Sequence, residues 1–194
     1  MTRRLASLLR MLLLPIPLTL LFACGGGSGL TGPVPAKATK LRYENPTPTP
    51  GHFQLVVEAA TNDTGHLLLD LMGPTGTVTQ GVALFVTTGK GATWGNPGGS
   101  DPYAKAGAEL ILGSPALFKS KVSAGDLQVG LFQTGAPPAT LGATPILTLA
   151  LDLGTSVNQG SVGLAVTAGK SSVYLDRANT KQSLILDLGT LTAQ

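Results

Sequence analysis

Cysteine, histidine, tryptophan and charge are all scarce in this chain of 194 residues. Its one cysteine, Cys24, excludes an intramolecular disulfide, and a metal site built on a single thiolate would need three further ligands. The two histidines, His52 and His66, do not supply a zinc set. With no G-x-S-x-G elbow in the sequence, they also make no Ser-His-Asp device. Only 12% of the residues are charged, and their placement matters more than the formal sum of +3. Arg3, Arg4 and Arg10 precede every acidic residue, and the other ten basic residues cancel the ten acids. A neutral body lacks the clustered Lys and Arg on which nucleic-acid affinity rests. The one glycine run, Gly25-Gly26-Gly27, does not sit between a strand and a helix, so no phosphate cradle is present. Low charge combined with frequent Val, Leu and Ile excludes long disorder.

What is present begins with an address. Residues 1–10 form a basic n-region, and Met11–Ala23 (MLLLPIPLTLLFA) is an apolar run of signal-peptide length. It falls short of the ~20 residues that span a bilayer, and Pro15 and Pro17 weaken it further as a helix. The run ends Leu21-Phe22-Ala23-Cys24, which resembles the lipobox of bacterial lipoproteins. That resemblance implies cleavage before Cys24, a diacylglyceryl thioether on its sulfur and an acylated amine. Two or more chains hold stably where one holds marginally. The expected partner at this end is therefore the membrane, reached through lipid on Cys24. Gly25 stands where inner-membrane lipoproteins carry an Asp, which points to the outer membrane of the cell envelope. Residues 25–37 (GGGSGLTGPVPAK) read as a tether with an r.m.s. reach of about 20 Å.

From residue 38 to 194 the apolar spacing is two, the period of a β-strand. Leu147, Leu149, Leu151 and Leu153 alternate with Ile146, Thr148, Ala150 and Asp152. Phe53, Leu55 and Val57 follow the same rule, as do Val162, Leu164 and Val166, and Leu184, Leu186 and Leu188. Further strands are expected at 38–43, 66–72, 80–88, 109–112, 117–122, 127–133 and 172–176. Gly-, Pro-, Asn- and Asp-rich turns separate them. Nothing sustains an amphipathic helix. The expectation is one all-β domain, an antiparallel β-sandwich of jelly-roll type with about nine strands.

The order of these elements resembles the cohesin-like and carbohydrate-binding-module-like sandwiches. Phe53–Ala59 stands as the early strand and Thr77–Val86 as the third, with a glycine before its apolar run. Ser123–Phe132, Pro145–Leu153 and Gly160–Asp176 follow before a terminal strand. The resemblance implies a non-catalytic module that binds a protein. It carries over no metal residue, because in cohesin pairs the calcium loops belong to the dockerin. The family's Tyr-Asp-Pro after the third strand is replaced here by Gly89-Lys90-Gly91.

The segment 89–107 (GKGATWGNPGGSDPYAKAG) reads as a long ordered loop, a form that is often functional. Trp94 and Tyr103, with Asn96 and Asp101, are its candidate binding residues. Either the two rings offer a flat face to a polysaccharide or a peptide, or they fold back to close the sandwich. Asn62, Asp63 and Asp101 sit in turns where Asx residues bond their own backbone more often than they bind calcium. Asp70, Asp152 and Asp187 lie within strands, where a small glycoside hydrolase would need two carboxylates facing across a cleft. Outward placement would leave them as solubilising charges. No cofactor and no catalytic residue is expected. The reading is a lipid-anchored, non-catalytic sandwich for protein interaction or envelope assembly. The alternatives are a carbohydrate-binding surface module and a small hydrolase.

Overall fold

The computed structural model describes residues 34–194. The leader, the lipobox with Cys24 and most of the tether lie outside the described residues. In chain order the strands are β1 (Leu41–Glu44), β2 (Phe53–Val57), β3 (His66–Met72), β4 (Val78–Thr79), β5 (Gly81–Thr88) and β6 (Ala92–Gly95). Then come β7 (Ala104–Ala106), β8 (Leu117–Ser123), β9 (Asp126–Phe132), β10 (Ala139–Thr140) and β11 (Leu147–Leu153). The last six are β12 (Gly160–Val162), β13 (Leu164–Val166), β14 (Val173–Leu175), β15 (Lys181–Ser183), β16 (Leu186–Asp187) and β17 (Thr190–Ala193). Among the described residues there is no helix.

Two six-stranded sheets make the sandwich. The first runs β16-β2-β3-β11-β6, with β7 also on β11; the second runs β15-β14-β5-β9-β8, with β13 also on β5. Register explains why these strands pair. Across β3 and β11, Leu71 faces Leu147, Leu69 faces Leu149 and Leu67 faces Leu151. Across β5 and β9, Val82 faces Leu131, Leu84 faces Val129 and Val86 faces Leu127. All twelve side chains are buried and belong to one core. A slip of one residue would turn every one of them to water. Each contributes roughly 1.5–3 kcal/mol on burial, which suffices without a disulfide.

The strand period was legible, but the count was not. About nine strands were expected and seventeen segments are found. Part of the difference lies in strands that change partner. The 162–166 alternation is not one strand: β12 pairs with β17, whereas β13 pairs with β5. The crossing occurs at Gly163, whose carbonyl accepts the Gly89 N–H at 2.7 Å. The sandwich is also not wholly antiparallel, since β16 lies parallel to β2. The expected strand at 109–112 is absent, and its polar groups are met singly: the Glu109 N–H donates to Pro145 O at 3.4 Å. Gln133 Oε1 accepts the Ile111 N–H at 3.1 Å, and Glu109 Oε1 accepts the Gly142 N–H at 2.6 Å.

Both ends of the described chain meet at one small sheet, β1-β17-β12. Gln194 O accepts the N–H groups of Thr39 and Lys40, and Gln194 N–H donates back to Lys40 O. The folded unit spans Pro35–Gln194. The 36–38 stretch is tied to the turn at 156–159 through Ala38 N–H to Val157 O, Gln159 N–H to Ala36 O and Lys37 Nζ to Asn158 Oδ1.

Candidate functional site

The 89–107 segment is not the open loop its composition suggests. It holds β6 and β7, which both pair with β11. Trp94 lies opposite Leu151 on the inner face and is 6% exposed. Its indole Nε1–H donates to Gly125 O at 2.7 Å, in the turn between β8 and β9. A ring inside one sheet thus bonds to the edge of the other. Tyr103 is half-buried against the same core. The expectation of a flat aromatic platform is overturned: Trp94 has no face to present to a sugar, because its large apolar ring closes the sandwich side.

Asp101 acts with it. Its carboxylate accepts the hydroxyl and amide of Ser120 on β8, and the amides of Tyr103 and Ala104. Burial alone would raise the Asp101 pKa, but these hydrogen bonds outweigh it and hold the carboxyl below its ordinary value. Asn96 Oδ1 accepts the Gly98 and Gly99 amides and shapes the turn between β6 and β7. Trp94 and Asp101 thus tie the two sheets together, Asn96 shapes a turn and Tyr103 packs on the core.

The carboxylates and imidazoles pair with each other. His52 Nδ1 lies 2.7 Å from Asp187 Oδ1, and His66 Nδ1 lies 2.5 Å from Asp152 Oδ1. Among the described residues no Ser, Thr or Cys side chain hydrogen-bonds either imidazole, and no group of three or more His, Cys, Asp or Glu is placed to hold a metal. Asp187 sits below its ordinary pKa, chiefly because of the His52 hydrogen bond.

The surface that sequence reasoning missed is the outward face of β14, β5, β9 and β8. Register places Val173, Ala83, Gly130 and Lys119 in one row, and Leu175, Gly81, Phe132 and Leu117 in the next. Phe85, Gln128 and Lys121 form a third row. The small residues Ala83 and Gly130 floor a depression of about 280 Å³, rimmed by Phe85, Lys119 and Lys121. Phe132 lies across the face. A Cβ on Gly81 would fall 2.2 Å from its ring, and one on Gly130 would fall 3.4 Å away. Glycine at 81 is what lets the ring lie down. Leu117 is half exposed at the margin. Three lysines, Lys119, Lys121 and Lys181, border this face, with Asp126 at one end. The signal was available in the sequence as the residues alternating with the core set, but which of them share a row depends on register.

No family model matches the chain, and no curated protein matches it. Solved structures do. A type II cohesin domain from the cellulosome of Acetivibrio cellulolyticus aligns with TM-score 0.54 and 11% identity, over 74% of this chain and 95% of that one. The sixth cohesin of scaffoldin B from the same organism, solved in complex with a mutant Cel5 dockerin, aligns with TM-score 0.47 and 16% identity, over 78% and 97%. The seventh ScaB type I cohesin from Pseudobacteroides cellulosolvens gives 0.47 and 10%, over 72% and 88%. The first of these alignments shows the fold: the described body is a cohesin-like β-sandwich.

Proposed function

We propose that this chain is a lipid-anchored envelope protein whose sandwich binds a protein partner and performs no catalysis. The observation that carries the reading is the outward face of β14-β5-β9-β8. Its shallow apolar depression and flat Phe132 offer contact area, and its lysines select an acidic rim on the partner. The cohesin-like fold supports the same class of role. The lipobox Leu21-Phe22-Ala23-Cys24 supports anchoring, with the tether after it giving the body freedom to reach a partner.

A photo-crosslinking residue at position 130 tests the interface, with one at exposed position 161 on the small β1-β17-β12 sheet as the control. Position 130 should trap one discrete protein, and Lys119→Glu with Lys121→Glu should weaken that capture roughly tenfold or more at low salt. Equal trapping at both positions would refute the assignment. For the anchor, Cys24→Ser should release the protein to the soluble fraction, and unchanged membrane partition would refute lipidation.

A further inference from the structure

The other outward surface, that of β2, β3 and β11, is built differently. Register sets Gln54 beside Met72 and Val56 beside Asp70, with Thr148 next to Asp70 on the far side. Gln54, Val56, Asp70 and Met72 line a groove of about 880 Å³. One wall is the 45–52 arm, which presents Pro48 and Pro50. The other is formed by Pro74 and Pro145 with their neighbours.

The arm is held in place. Asn45 Oδ1 accepts the Val57 N–H at 2.8 Å, and Asp187 Oδ2 accepts the Thr49 N–H at 3.1 Å while its other oxygen engages His52. The wall is therefore a standing feature of the fold, since both its ends are hydrogen-bonded to strands.

Asp70 is the one carboxylate in the lining of this groove, whose arm also carries the His52 imidazole held by Asp187. Asp70 Oδ1 accepts the Thr148 hydroxyl at 2.6 Å. Among the described residues no cationic nitrogen comes within 4.0 Å of Asp70. The carboxylate thus keeps acceptor capacity facing a groove whose other surfaces are mostly apolar: Val56, Met72 and four prolines. That combination suits a cation on a long apolar stem. The methylenes of Lys or Arg can lie along Val56 and the adaptable thioether of Met72 while the charged head reaches Asp70. The volume exceeds what one side chain fills and lies near the upper end for binding clefts. The flanking residues of an extended segment can occupy the remainder, with the Gln54 amide available to its backbone.

We propose that this groove receives a Lys or Arg side chain from an extended segment of a partner protein, with Asp70 as the anchoring carboxylate. The site is separate from the β14-β5-β9-β8 face. Together the two would let one sandwich join two proteins from opposite sides, as an assembly module requires.

The probe is the peptide acetyl-Pro-Ala-Lys-Ala-Pro-amide, titrated into full-length protein carrying ¹³C-methyl methionine. The Met72 signal is assigned by its disappearance in Met72→Leu. It should shift saturably with this peptide and not with the Nε-acetyllysine version. Asp70→Asn should weaken binding roughly tenfold or more, the scale of a lost charge-assisted hydrogen bond. The Asn amide oxygen can still accept from Thr148, so the melting temperature should hold. High salt should weaken binding to the unmodified protein, a readout that does not depend on any variant folding. Lys119→Glu should leave the titration unchanged, which separates this site from the first interface. No shift, an equal shift with the acetylated peptide, or full affinity in folded Asp70→Asn would each overturn the proposal.

Discussion

The two outward faces of the sandwich rest on similar interiors and differ almost completely outside. Inside, each sheet contributes paired rows of Leu and Val in strict alternation. Outside, β5 and β9 carry Ala83 and Gly130, so that face stays nearly flat and is bordered by lysines. The β2-β3 face carries Gln54, Val56, Asp70 and Met72 beneath a pinned proline arm, so it is grooved and holds a carboxylate. Core residues fix the sheets and leave the alternate positions free, and those positions are where shape and sign of charge diverge.

A substitution in the shared interior should damage both faces together. Leu149 is fully buried at the middle of β11, opposite Leu69. Leu149→Ala should cost about 2–5 kcal/mol, from lost transfer energy plus the cavity left behind. Urea denaturation reads this as a lower midpoint at unchanged slope. Crosslinking at position 130 and peptide binding at Met72 should then fail at the same denaturant concentration. Loss of one before the other would show that the two sheets unfold separately.

Next in size is the bridge between sheet edges. Asp101→Ala leaves the amides of Ser120, Tyr103 and Ala104 without their acceptor and should cost about 2 kcal/mol. The folded pKa of Asp101 lies below its ordinary value, so its stabilisation is complete above pH ~4. It is lost as the pH falls through the folded value, where the proton binds. Between those limits the wild type should lose stability faster than Asp101→Asn, as followed by thermal melts at a series of pH values. Parallel curves would remove the carboxylate from the account.

How much of this could be read from sequence depended on which force decides each element. β3 was legible residue by residue, because Leu67, Leu69 and Leu71 state a period of two that burial enforces. β6 and β7 were not legible. Four and three residues long, they sit among Gly, Pro and Asp, and what makes them strands is pairing with β11 some fifty residues away. Trp94 and Asp101 were singled out for composition and spacing, but their roles follow from contacts with Gly125 and Ser120 in the other sheet. The groove at Asp70 was hidden for a similar reason. Asp70 reads as one outward carboxylate until register sets it beside Thr148 and Val56, and until Asp187 ties the proline arm above it.

Charge on the flat face should matter for binding and hardly for folding. Lys119 and Lys121 are exposed on the outward side of β8 and form no ion pair among the described residues. Lys119→Glu with Lys121→Glu should shift stability by no more than about 0.5 kcal/mol. The same pair should weaken partner capture roughly tenfold or more if an acidic rim meets them, with the loss falling as salt rises. A binding loss insensitive to ionic strength would mean that shape alone governs this face.

The smallest effect comes from two imidazoles in the same chemistry but different settings. The side chains of the His66–Asp152 pair are 47% and 44% exposed, and those of the His52–Asp187 pair 27% and 17%. Solvent screens the first, so His66→Gln should change stability by about 0.5 kcal/mol or less. The second pair holds Asp187 where it also accepts the Thr49 N–H, and so fixes the proline wall. His52→Gln removes the hydrogen bond that chiefly lowers the Asp187 pKa, and its effect belongs at the groove. The Met72 methyl signal should move in His52→Gln and stay in place in His66→Gln, with the melting temperature nearly unchanged in both. In the wild type the Asp187 carboxylate is kept above pH ~4, and the clamp is lost as Asp187 takes up a proton at its lowered folded pKa. A Met72 signal that responds equally to both substitutions would mean that the groove wall does not depend on the Asp187 clamp.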